Sequence, residues 1–241
     1  MLHPVLLQET LMMPLYGRVY CEEHVPNTFP NKGAKEAVSN VDYDFNKVKS
    51  SELNMITWGL RARMLQDVIS AREQIVQLRE REYNFSGDLM DFDWMEKIQE
   101  PPLNVNIADG VFIISGGVLM YFSTGQMKQF FLALAKAFPG GGICFDGENE
   151  SGVKKSNKIV QKTGNGSLIQ FPVENSKKLF QDWGTCFADV HEWPFPDYVK
   201  NSREIPLKWK FVLRLGMRMG MVKIIDVRFT KRSQQADNGG M

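Results

Sequence analysis

Cysteine is scarce in this chain: Cys21, Cys144 and Cys186 are three among 241 residues, odd in number and far apart. That argues against a disulfide framework and against any zinc-type spacing, and it fits reduced thiols in a cytoplasmic protein. No sign of charge dominates either. Lys and Arg number 29 against 28 Asp and Glu, so no global field draws the chain to nucleic acid or to a membrane surface. Met1 to Met13 is only mildly apolar, contains Glu9 and lacks a basic start before an apolar core, so neither a signal peptide nor a membrane span is expected there. P-loop, nucleophile-elbow, metal-ligand and nucleic-acid motifs are also missing. No GxGxxG stands between a strand and a helix: Gly140-Gly141-Gly142 precedes an apolar run, and Gly164-Asn165-Gly166 lies in a polar turn.

What is present is enough apolar sequence, 43% of residues, for one sizeable core. The most ordered pattern runs from Gly110 to Asp146. Val111 to Ser115 is a short apolar run without helical period, ended by Gly116-Gly117, and predicts a strand buried on both faces at the centre of a sheet. Met127, Phe130, Phe131, Leu134 and Phe138 then recur at helical spacing and predict a helix packed on that sheet. Ser123 followed by Gln126 is a capping-box start, and Pro139-Gly140 is a stop. Ile143 to Phe145 restart an apolar run that ends at Asp146, so the whole stretch predicts a βαβ unit.

The order of strand, GVLMYF, amphipathic helix, AFPGG and FD resembles the centre of the class I S-adenosylmethionine-dependent O-methyltransferases of the leucine carboxyl methyltransferase type, in particular the branch associated with polyketide O-methylation. The resemblance continues through MMPLYGR (Met12 to Arg18), DYDF (Asp42 to Phe45) and FDW (Phe92 to Trp94) to the final helix and strand. It implies a Rossmann-like α/β domain: a mostly parallel sheet with flanking helices and an antiparallel C-terminal strand. It also implies S-adenosylmethionine as cofactor and a small-molecule methyl acceptor with a carboxylate or hydroxyl. Residues 1–50 would form a lid, 51–232 the domain and 233–241 a disordered tail. The family's glycine-rich loop and the strands around it are missing between Arg63 and Asp67, and Met64 or Leu65 falls where an acid would hold the ribose. The sheet is therefore expected to be truncated in its first βαβ unit, with a gap that a homodimer could cover. A catalytically inactive relative, persisting as a binding or scaffold protein, is the alternative function.

Carried onto this chain residue by residue, the resemblance places cofactor contacts at Arg63, Asp88, Leu89, Ser115, Gly116 and Gly117, and acceptor contacts at Tyr16 and Arg18. Asp88 has a second reading, as the cap of a helix starting near Asp91. Gly116 stands where the family usually has an acid. Tyr121, beyond a strand end, and His191, in an aromatic-rich loop beside Glu192, are the catalytic candidates; Tyr121 reads equally as a core residue. Elsewhere, Leu6 to Met13 predicts a short helix ending before Pro14, Ser51 to Tyr83 one long helix, and Phe85 to Leu89 a strand. Thr185 to Val190 predicts a strand, Leu207 to Met219 a helix with an apolar row at every fourth residue and a cationic solvated face, and Val222 to Phe229 a strand at a sheet edge or in an antiparallel hairpin.

Overall fold

The computed structural model describes residues 6–30, 33–73, 88–162 and 166–231. Four strands form one open mixed sheet in the order β1-β2-β4-β3. β1 (Phe112–Ser115) pairs in parallel with β2 (Gly142–Gly147), and β4 (Lys223–Phe229) runs antiparallel to both β2 and β3 (Phe187–Glu192). Three strands thus share one direction and the C-terminal strand opposes them. Period-2 alternation assigns the side chains of β2 and β4 to two cores. Ile143, Phe145, Ile225, Val227 and Phe229 enter one cluster, and Cys144 and Ile224 enter the other.

The first cluster lies under α5 (Thr124–Ala137) and α7 (Ser176–Trp183). The Ser123–Gln126 capping box forms as the sequence predicts, and Met127, Phe130, Phe131, Leu134 and Phe138 are all at most 1% exposed. Phe131 is the hub of this core, with ring centroids 4.8 Å from Phe180, 5.2 Å from Phe145 and 5.6 Å from Phe130. The second cluster lies under α3 (Glu52–Glu73), whose Ile56, Leu60 and Met64 face Cys144 and Ile224, and under α9 (Leu207–Arg218), which contributes Leu213.

On the outer side of α3 lies α1 (Leu6–His24). This is a correction: the helix does not stop before Pro14 but runs through it, so Tyr16-Gly17-Arg18 is helical and not a turn. An internal proline costs a helix about 3 kcal/mol. Burial of Met12, Met13, Val19 and Cys21 along the same helix offsets that. The two helices approach closely because each presents a glycine to the other. A Cβ on Gly17 would lie 2.7 Å from Trp58 Cβ, and one on Gly59 would lie 2.3 Å from Cys21 Sγ.

Four further expectations change. The strand at Phe112–Ser115 is half-buried and at one edge of the described sheet, not central, because β2 pairs it on one side only. β4 is interior and not at an edge, since β3 pairs on its far side, although it is antiparallel as expected. Asp88 to Met90 is a turn, while 85–87, with the rest of that expected strand, lie outside the described residues. His191-Glu192 belongs to β3, because the Asp226 and Ile225 positions of β4 extend the ladder that far. The far part of the expected long helix, 74–83, and the expected tail also lie outside the described residues. Among the described residues no helix is long and apolar enough to cross a membrane.

Candidate functional site

Ligands of open α/β sheets bind beyond the carboxyl ends of the strands. Here β1 ends at the Gly116-Gly117 turn, and β2 carries Asp146 and leads to Glu148. Both carboxylates are only 4% exposed, and the charge that answers them comes from Arg61 on α3. Arg61 Nη2 donates to Asp146 Oδ2, and its Nη1 lies 3.6 Å from Glu148 Oε1. Asp146 Oδ1 accepts the Gly117 N–H at 2.7 Å, which fixes the turn after β1 onto the end of β2. Burial pushes the Glu148 carboxyl above its ordinary value, Arg61 and Ser156 pull it back, and Asp146 adds to the rise.

Above this triad opens a cleft of about 400 Å³, within the range of small-molecule sites. α1 contributes Arg18, α3 contributes Arg61 and Arg63, and the strand ends contribute Gly116, Gly117 and Asp146. Its walls include Leu15, Phe29, Trp58 and Leu65. A Cβ on Gly116 would lie 2.5 Å from Leu65 Cδ1, the end of a flexible side chain on α3. Arg63 is held by Asp67 at 2.8 Å and lies over the Tyr198 ring, 5.5 Å from its centroid. A smaller cavity of about 50 Å³ shares the Arg61 and Gly117 wall and adds Tyr121 and Glu148.

Four of the residues singled out in the sequence therefore meet in one cleft: Arg18, Arg63, Gly116 and Gly117. Ser115 directly precedes the glycine pair, half-buried and opposite Phe145. Tyr121 sits in the 3-10 turn Leu119–Tyr121, beside the smaller cavity. The others lie elsewhere. Tyr16 stacks on Phe45 at 5.7 Å, in a separate cluster with Val48 and Trp58. Asp88 is exposed and accepts the Met90 N–H at 2.9 Å, and Leu89 packs on the α5 core, its carbonyl accepting the Trp94 indole N–H at 3.2 Å. The α4 helix (Trp94–Lys97) begins with Asp93, so Asp88 does not cap it. His191 is exposed on β3, with β4 and β2 between it and β1, and it faces Trp193 at 6.1 Å.

Sequence reasoning did not single out Arg61, Asp146 and Glu148 as a unit. A signal was there: an acid closing the apolar run ICFD, and another two residues on, carry two charges into the carboxyl end of a strand that is otherwise buried.

The polar groups fit one end of the expected cofactor. Arg18, and Arg63 alongside its contact with Asp67, are the groups that would hold the carboxylate of its methionine portion. Among the described residues the ribose has no matching acid in this cleft: Asp146 already receives Arg61 and Gly117, and Met64 is 3% exposed within α3.

No protein-family model matches the chain, and no curated protein matches it. Among solved structures, one described as a putative methyltransferase from Thermobifida fusca YX is similar at a TM-score of 0.42 and 16% identity, over 68% of this chain and 59% of that one. The chain thus spans less than two thirds of that structure's length.

Proposed function

We propose that the chain is an S-adenosylmethionine-dependent O-methyltransferase acting on a carboxylate or hydroxyl of a small molecule, with the cleft between α1, α3 and the ends of β1 and β2 as its site. One observation carries this reading. Arg18, Arg63 and the Gly116-Gly117 turn come from three separate segments that the resemblance assigns to cofactor and acceptor, and they converge around Asp146. The bound cofactor would supply an electrophilic methyl group. The chain's own contribution is positioning. Arg18 and Arg63 offer charge to a carboxylate in a cleft whose walls include Phe29 and Trp58, and the Gly117 N–H bond to Asp146 fixes the floor. Tyr121, on the far side of Arg61, is the phenol nearest an acceptor that extends into the smaller cavity. His191 has no part in this scheme.

A second reading, a non-catalytic relative that binds a small carboxylate, is favoured by a specific feature: Asp146, the carboxylate of the cleft lining, already receives Arg61 and the Gly117 N–H and so leaves no acid there for a cofactor ribose. Methyl transfer from labelled S-adenosylmethionine to a panel of aromatic and aliphatic acids and phenols separates the two. Label in an organic product, abolished by Arg63→Ala, is the expected result. Saturable binding of an acid without transfer selects the second reading, and neither transfer nor binding overturns both.

A further inference from the structure

The apolar row Leu207, Phe211, Leu215 and Met219, at every fourth residue along α9 and its C-cap, is turned outward in the structure. Leu207 is 81% exposed, Phe211 69%, Met219 56% and Leu215 44%, and Val212 beside them is 37% exposed. α9 is anchored by the opposite face, where Leu213 is buried and Trp209 and Met217 pack against the α3 core. Lys208, Arg214 and Arg218 are exposed on the outward arc with the apolar row. No acidic residue occurs from Ile205 to Ile225. Lys210 instead turns inward and donates to the Lys200 carbonyl at 3.2 Å, and Lys223, expected to flank the cationic face, is buried against Glu192 at 3.0 Å. Alongside runs a groove of about 780 Å³ walled by Trp193, Phe195, Leu215 and Val222, with Arg214 and Arg218 at its rim.

We propose that α9 docks this protein on an anionic lipid surface. The occupant of the face must be apolar and carry negative charge. A second copy satisfies only the first requirement, because two α9 faces would set Lys208, Arg214 and Arg218 against their own counterparts with no acid on either helix to answer them. A bilayer satisfies both. A helix with Leu, Phe and Met on the outer face and Lys and Arg interleaved lies in the headgroup plane, with apolar burial and attraction to anionic lipid acting together. Leu207 and Phe211 are the most exposed apolar side chains of the row and the ones to enter that layer, and the groove offers apolar wall to an acyl chain. The proposal is independent of the cleft chemistry, because no α9 residue lines the cleft.

The test is flotation of the full chain with phosphatidylcholine vesicles, alone and with roughly one third phosphatidylserine. Flotation with the anionic vesicles only, reversed by high salt, is the expected result. Phe211→Asp should weaken partitioning at least about tenfold, and Arg214→Ser and Arg218→Ser about fivefold each. Phe211 is exposed enough that an unchanged melting curve checks the fold of its variant. Failure to float with either vesicle overturns the proposal, as does flotation that Phe211→Asp leaves unchanged. A dimer in sedimentation that Phe211→Asp dissociates, without vesicle binding, also overturns it and assigns the face to a second copy.

Discussion

Replacing Arg61 by methionine keeps most of the side chain's length and removes the guanidinium that bridges Asp146 and Glu148. Both carboxylates are 4% exposed and Arg61 is 17% exposed, so water cannot easily take its place. Removing one partner of a buried ion pair costs about 3–5 kcal/mol, because the remaining charge is left uncompensated. At about 2–4 °C per kcal/mol for a domain of this size, the melting temperature should fall by about 6–20 °C. The loss should also depend on pH. Glu148 already has a raised carboxyl pKa in the folded chain, so its contribution to stability is present below its ordinary value of 4.5 and is lost as pH rises through the folded value. Arg61 is the strongest of the groups that pull that folded value down. Its removal moves the value up and widens the window, so the variant should lose more stability at about pH 8 than at about pH 5. Urea unfolding followed by circular dichroism at both pH values measures this. A cost below about 1 kcal/mol, or the same cost at both pH values, would refute a buried, coupled triad.

Gly59→Ala should destabilise by about 1–3 kcal/mol, since its Cβ would meet Cys21 Sγ at 2.3 Å, and adding Cys21→Ala should recover part of the loss; paired melting curves test both. Burial pushes the Cys21 thiol up to about 12, and Cys144 is also buried, so a thiol reagent should modify Cys186 first and the other two only on denaturation. A fast reaction that persists in Cys186→Ser would contradict this. Ser123→Ala removes the cap that receives the Gln126 N–H at 3.3 Å and should cost about 1 kcal/mol in chemical unfolding, with no change in ligand binding at the cleft.

The local part of this fold is legible in the sequence. Strand β1, the capped α5 and strand β2 appear where a short apolar run, a helical stripe and a second apolar run place them, because those signals depend on neighbours in sequence. What failed depends on tertiary partners. Proline marks Pro14 as a helix end, yet the packing of α1 on α3 carries the helix past it. An i+4 apolar row at Leu207 to Met219 gives no sign of which way it will face, and the α3 core takes Leu213 instead. Strand order is likewise invisible to periodicity, so the interior place of β4 was not read. For the site, Arg18, Arg63 and the glycine pair are legible by resemblance, whereas Arg61 joins them only once α3 crosses the sheet and brings it to Asp146.

Calorimetric titration of the folded chain with S-adenosylmethionine and S-adenosylhomocysteine tests the cleft most directly. Micromolar binding, about 8 kcal/mol, that Arg63→Ala weakens at least tenfold is the result expected if the Arg18 and Arg63 side of the cleft holds the cofactor's carboxylate. No heat with either ligand at about millimolar concentration, from a protein that melts cooperatively, would contradict a cofactor site in this cleft and leave the cleft to an anionic ligand alone.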